Sequence, residues 1–325
     1  MFTSILLLIL GLCLILAGAN FMTDGAAAIA RKFGMSDFLI GLTVVAMMTS
    51  APELVVSITG AVNASPEMAI GNIVGSNIFN ILVIIGLTAI ISPITVTRGI
   101  LTNEIPLVIL SSVVLLIMGS SPWLDGGPMA VTRSDGLILL IFFIIFMRYT
   151  IASAKRTPDN DTLSTDESAK RPLPLWLAIL ITLGGLGLLI LGGQWFVDSA
   201  SDIARTLGWS EGLIGLTILA AGTSLPELAT SLVAATKGHS GMCLGNVIGS
   251  NIFNIFLVLG CTATVMPLSF GSIGLFDLLS LTAASILFWI FGQFYRRNTI
   301  TRAEGIFLLL CYIAYISYLY LNTSV

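Results

Sequence analysis

Charged residues are scarce in this sequence: Asp, Glu, Lys and Arg make up 10% of its 325 residues, against 56% hydrophobic. A water-soluble domain usually carries about 25% charged residues, so there is too little polar surface here for a soluble fold. Histidine is nearly absent. His239 is the only one and stands among loop residues (Lys237, Gly238, Ser240), where it is expected to be solvated. The four cysteines (Cys13, Cys243, Cys261, Cys311) fall in or at the ends of apolar segments with no paired spacing. That pattern excludes a disulfide framework or a thiolate zinc site and leaves them as small apolar residues. No Lys or Arg precedes the first apolar run, as a cleaved signal peptide would require, so that run is read as a retained helix. The net charge of −3 carries no sign of a nucleic-acid partner.

What the sequence has instead is apolar length. Runs such as "SILLLILGLCLILAG" do not alternate as strands of a membrane barrel would, and crossing a bilayer as a helix takes roughly 20 residues. The expected fold is therefore an all-α integral membrane protein in a lipid bilayer. Ten spans are expected, at about 3–23, 38–62, 68–91, 104–120, 135–151, 175–197, 212–235, 242–265, 273–293 and 304–321. The hydrophilic segment "ASAKRTPDNDTLSTDESAKRPLP", residues 152–174, reads as a linker between a first five-helix repeat, 1–151, and a second, 175–325. With the N-terminus outside, 12 basic residues fall in inner loops and only Arg133 and Arg205 in outer ones. The positive-inside rule then places both termini outside (periplasmic) and the linker in the cytoplasm.

The two halves repeat. "GNIVGSNIFN" begins at Gly71 and "GNVIGSNIFN" at Gly245; "TSAPEL" in the first half is answered by "TSLPEL" in the second, at a constant offset of 174. Lipid-facing positions interchange Leu, Ile and Val between the copies while the polar positions stay identical. Five spans per half is an odd number, so the second copy must insert upside down. In such inverted repeats the substrate site is expected near the midplane where the copies meet.

The polar residues of these motifs suit a hard cation. Glu53 and Glu227 fall in mid-span, where an ionisable group costs at least ~2.5 kcal/mol and by default marks function. Pro52 and Pro226 lack an N–H, so the carbonyls of Met48 and Gly222 lose their helical partners, and those of Thr49 and Thr223 are loosened by the kink. Thr49, Glu53 and Ser57 share a helical face, as do Thr223, Glu227 and Ser231, at i, i+4, i+8; Ser50 and Ser224 lie beside them. The decapeptides set Asn72, Ser76 and Asn80, and Asn246, Ser250 and Asn254, at the same spacing. Gly71 with Gly75, and Gly245 with Gly249, form small-xxx-small pairs that allow close helix approach. Ser76, Asn80, Ser250 and Asn254 are candidate ligands; Asn72, Asn77, Asn246 and Asn251 either ligate or tie helices together. Carboxylate, hydroxyl, amide and carbonyl oxygens, without thiolate or imidazole, favour calcium, magnesium, manganese or sodium over zinc or copper. Two carboxylates neutralise one divalent ion and neutral oxygens can hold sodium, so the set suits exchange.

"TS-x-PEL" followed by "GN-x-x-GSNIFN" in both halves resembles the paired α-repeats of the sodium/calcium exchanger (cation/calcium antiporter) superfamily, and most of all its compact prokaryotic members. The resemblance implies ten helices as two inverted five-helix repeats, no cofactor, and alternating access at central ion sites, the first and sixth spans sliding to switch access. It implies Glu53 and Glu227 as shared calcium and sodium ligands and the carbonyls of Thr49 and Thr223 in the calcium site. Ser50, Ser76, Ser224 and Ser250 would serve flanking sodium sites, with Asn80 and Asn254 at the centre. Two positions depart from the family: Asn254 stands where an aspartate is common, and Met48 answers Gly222. Sodium-driven calcium antiport in a bacterial inner membrane is the expectation. A cation/proton antiporter of the same fold, or potassium-dependent exchange, is the alternative. A channel is distinguished by conductance. An intramembrane hydrolase using Ser50 or Ser224 needs a general base, and the sequence offers no intramembrane histidine or lysine for it.

Overall fold

The computed structural model describes residues 2–62, 66–120, 126–154, 173–207, 220–271, 273–293 and 298–323. Among these, nine helices are long and apolar enough to cross a membrane: Phe2–Phe33, Asp37–Val62, Glu67–Ile91, Ile100–Gly119, Arg133–Ser153, Leu175–Thr206, Ser240–Val265, Leu275–Gln293 and Arg302–Leu321. Most bounds lie within a few residues of those expected. The first and sixth helices run on to Phe33 and Thr206, past the ends at 23 and 197 that hydropathy suggests. The extension of the first is rich in buried alanine (Ala26, Ala27, Ala28, Ala30), the residue with the highest intrinsic helix propensity.

The expected seventh span, 212–235, begins outside the described residues. From Ala220 it is helical as Ala220–Thr223 and Leu225–Thr236. Two short antiparallel ribbons join segments distant in sequence. Strand β1 (Ile94–Thr95) pairs with β4 (Thr299–Ile300), and β2 (Ala130–Val131) with β3 (Leu268–Ser269).

The described residues form two compact units. One comprises Met1–Thr49, Asp159–Asn246 and Ile316–Val325; the other comprises Ser50–Pro158 and Val247–Tyr315. In the first unit, helices Phe2–Phe33 and Leu175–Thr206 pack antiparallel along a seam of small residues. Gly11 meets Gly192, Gly18 meets Gly185, and Gly25 meets Ala178, with an added Cβ falling 2.7–2.8 Å from a partner carbonyl oxygen in each case. The seven-residue spacing keeps the contacts on one stripe. Leu225–Thr236 packs against both helices, over a core that includes Ile15, Ala19, Met22, Ile40, Val45, Leu189, Met242 and Cys243. His239 is not simply solvated: its Nδ1 lies 2.6 Å from Asp37 Oδ2 and both side chains are largely buried. Aspartate at the start of one helix offers the ring an acceptor, which loop composition alone does not reveal. Lys237 pairs with Asp24 at 2.7 Å.

In the second unit, Ile105–Gly119 packs against Leu275–Gln293, and Arg133–Ala154 against Gly260–Val265. Gly136 allows that second contact, since a Cβ there would lie 2.7 Å from Thr264 N. The helix Ala51–Val62 packs against Pro66–Phe79 and against Asn254–Val265.

Candidate functional site

Both glutamates sit just beyond a break in a helix. Ala46–Thr49 is helical, Ser50 is in a turn, and a new helix runs Ala51–Val62. Likewise Ala220–Thr223 ends before Ser224, and Leu225–Thr236 begins afresh. Pro52 and Pro226 occupy the first turn of the new helices, where a missing N–H is tolerated. The ladder resumes with Leu54 N–H to Ser50 O at 3.2 Å and Leu228 N–H to Ser224 O at 3.0 Å. The kinks that the prolines suggest are thus seen as one-residue breaks at Ser50 and Ser224. Glu53 and Glu227 lie in the first turns that follow, where the helix dipole favours negative charge. Each is 0% exposed.

In the first unit, Asn246 organises the surroundings of Thr49 and Glu227. Its Oδ1 accepts from the Thr49 hydroxyl at 3.2 Å, and its Nδ2 donates to Ser231 Oγ at 2.9 Å and to the Glu227 carbonyl at 3.3 Å. Both ends of the amide are therefore committed to tying elements together. The Thr49 hydroxyl also donates to Val45 O at 3.1 Å, so it is the main-chain carbonyl of Thr49 that suits an ion. Ser224 is buried, and its Oγ has no hydrogen-bond partner among the described residues. Thr223 is only half-buried.

In the second unit lie Ser50, Glu53, Ser76, Asn80, Ser250 and Asn254, every one buried. Asn72 Nδ2 donates to Ser57 Oγ at 3.3 Å, repeating the Asn246–Ser231 pairing at the 174-residue offset. The two decapeptides meet directly through Asn77, whose Nδ2 donates to the Asn251 carbonyl at 3.2 Å and whose Oδ1 accepts from Asn254 Nδ2 at 3.1 Å. The hydroxyls of Ser76 and Ser250, both amide atoms of Asn80 and the Oδ1 of Asn254 find no hydrogen-bond partner among the described residues. An unsatisfied buried polar group costs about 1–3 kcal/mol, so each of these atoms calls for a partner such as a water or an ion. Among the described residues no group of three or more His, Cys, Asp or Glu is placed to hold a metal. Neutral oxygens must therefore supply much of any coordination.

Two features had no counterpart in the sequence reading. Asn80 and Asn254 each open a π-helical turn, Asn80–Ile84 and Asn254–Leu259, a distortion common at functional sites. No composition signal marks it, because it depends on which carbonyl each N–H selects. The relay through Asn77 was also not foreseen, although both residues belong to the repeated motif. The small-residue pairs are described in part. Gly245 does press on the Phe38–Leu42 backbone, with an added Cβ 2.6 Å from Leu42 N, and Gly249 is buried. Gly75 has nothing within 4 Å of such a Cβ among the described residues, and Gly71 meets only Ile273 at 3.4 Å. Among the described residues, the close backbone approach is therefore seen at Gly245.

Comparison with known proteins bears on this arrangement. The sequence model of the family described as "Sodium/calcium exchanger protein" matches residues 3–152 and 177–321. The sodium/calcium exchanger MaX1 of Methanosarcina acetivorans is 32% identical over 98% of this chain and 98% of its own. The inner membrane protein YrbG of Escherichia coli is 37% identical over 80% of this chain and 79% of its own. Among solved structures, the sodium-calcium exchanger NCX_Mj, soaked with Na+ and Ca2+, aligns with a TM-score of 0.82 at 35% identity, covering 97% of this chain and 98% of that one. The fold is that of an all-α membrane exchanger, and the chain belongs to the sodium/calcium exchanger protein family as a compact prokaryotic member.

Proposed function

We infer that the protein is a secondary active transporter that exchanges Na+ for Ca2+ by alternating access. Glu53 and Glu227 are the carboxylate ligands. The carbonyls of Thr49 and Thr223 complete the calcium set, Ser50, Ser76, Ser224 and Ser250 serve sodium, and Asn80 and Asn254 supply central amide oxygens. The observation that carries this reading is the set of buried oxygens on Ser76, Asn80, Ser224, Ser250 and Asn254 that no donor among the described residues satisfies, in a chain of the sodium/calcium exchanger protein family. Oxygen-only ligands select hard cations, and the abundance of neutral ones favours sodium over the proton as coupling ion. The glycine seam between the first and sixth spans suits two helices that move as one. The excess of basic residues in alternate loops supports external termini and a cytoplasmic linker in an inner membrane.

The reading is tested by uptake of radiolabelled calcium into proteoliposomes loaded with sodium, beside matched vesicles loaded with potassium or choline. Sodium-loaded vesicles are expected to accumulate calcium, with or without a protonophore. Uptake that follows an imposed pH gradient and ignores sodium would replace sodium by the proton. Acidity is a second test. Cations bind the ionised glutamates, so falling pH adds protons that compete for the same oxygens. Calcium transport is expected to decline from neutral to mildly acidic pH and to recover with added calcium. A flat profile over that range would count against carboxylate ligands.

A further inference from the structure

An amide ligand raises a problem that a carboxylate does not. Both carboxylate oxygens can face a cation, but an amide has one face that attracts it and one that repels it. Something must hold Asn254 the right way round. The bonds around Asn77 do so by elimination. The main-chain carbonyl of Asn251 can only accept, so the amino group of Asn77 must face it, at 3.2 Å. That turns the Asn77 oxygen to the opposite side, and an amide oxygen too can only accept. Asn254 must then present Nδ2 to it, at 3.1 Å, which directs Asn254 Oδ1 away. That oxygen is buried and has no hydrogen-bond partner among the described residues. Asn77, Asn251 and Asn254 are no more than 1% exposed, so water does not compete for these bonds.

The other half lacks the relay. Asn251 occupies the position equivalent to Asn77, yet its Nδ2 donates to Val247 O, one turn back in its own helix, at 2.7 Å. Its Oδ1 accepts nothing among the described residues, and neither amide atom of Asn80, the equivalent of Asn254, is engaged. The pseudo-symmetric sequence thus produces one amide held by hydrogen bonds and one with no such bond among the described residues.

We propose that Asn77 is a positioning residue for ion binding: it locks the Asn254 carboxamide with its oxygen toward the transported cation, while Asn80 stays adaptable. This lets an amide serve where the family commonly has an aspartate. The inference rests on the functional reading above. Its test is the KM for calcium and the maximal rate of sodium-dependent calcium uptake in proteoliposomes, for Asn77→Leu and Asn77→Asp, each alone and combined with Asn254→Asp. Losing the partner that orients a metal ligand typically costs about 10–100-fold in affinity, and Asn77→Leu is expected to raise the KM by about that factor with a smaller effect on maximal rate. Asn77→Asp retains an oxygen for Asn254 Nδ2 but loses the donor to the Asn251 carbonyl, so its KM should rise less than that of Asn77→Leu. In the Asn254→Asp background either carboxylate oxygen can ligate, so Asn77→Leu should then shift the KM by no more than about twofold, the ordinary error of additivity. An unchanged KM in Asn77→Leu, or an equal rise in both backgrounds, would overturn the proposal. Should Asn77→Leu fail to assemble, Asn77→Ala removes the same bonds with less bulk, and an unchanged KM there would overturn the proposal as well. Wild-type vesicles without sodium-dependent uptake would sink the functional reading instead, and are scored separately.

Discussion

Glu53→Gln and Glu227→Gln are each expected to abolish sodium-dependent calcium uptake while leaving the protein at least as stable as the wild type. Glutamine matches glutamate in volume, so packing around either residue, both 0% exposed, is preserved. What changes is charge. One unit charge about 4 Å from another is worth about 4 kcal/mol at an effective dielectric constant of 20, or roughly a thousandfold in affinity, and a divalent ion feels it twice. Folding responds in the opposite sense, because a charge held at membrane depth costs at least ~2.5 kcal/mol and the amide removes it. A merely structural glutamate would lower the melting temperature of the variant together with its activity. Uptake assays beside thermal unfolding in detergent separate the two cases. Wild-type flux in either variant would remove that glutamate from the ligand set.

The second large effect is expected in the seam of the first unit. Gly18→Leu should prevent the first and sixth helices from packing, and Gly18→Ala should lower the melting temperature. A Cβ on Gly18 would lie 2.7 Å from Gly185 O and 2.8 Å from Leu189 N. These are backbone atoms and cannot swing aside, so the helices must part along their length. Overpacking usually costs about 1–3 kcal/mol, and this site belongs at the upper end. Inside a membrane the loss is felt fully, since van der Waals packing is a main force between helices there. Gly184→Ala and Gly187→Ala are the controls. Nothing among the described residues lies within 4 Å of a Cβ at either position, and replacing a helical glycine by alanine gains roughly 0.5–1 kcal/mol. Equal destabilisation by Gly18→Ala and Gly184→Ala, read by thermal unfolding in detergent, would refute the seam.

Much of this was legible in the residues. Long apolar runs gave nearly every span, because lipid selects hydrophobic surface directly. Pro52 and Pro226 announced the helix interruptions, since a missing N–H leaves a carbonyl without its partner. The doubled decapeptide pointed to the Asn and Ser side chains that are buried in the structure. Other features depend on which partner a group chooses, and pattern does not record that. The π-turns at Asn80 and Asn254, the pairing of His239 with Asp37 and the relay through Asn77 are of this kind. The ribbons are too short, at two residues each, to leave a period. The seam at Gly11, Gly18 and Gly25 is visible in the sequence as a heptad of small residues. Its partner stripe at Ala178, Gly185 and Gly192 runs antiparallel, and only the fold reveals which stripes meet.

The central claim is that sodium and calcium compete for oxygens that include the two buried carboxylates. Equilibrium binding of radiolabelled calcium to the purified protein, over a series of sodium concentrations with choline as the ionic-strength control, tests it most directly. Sodium is expected to displace calcium competitively and choline to leave it bound, with no specific binding in Glu53→Gln or Glu227→Gln. Calcium binding that ignores sodium, or survives loss of either carboxylate, would contradict the account.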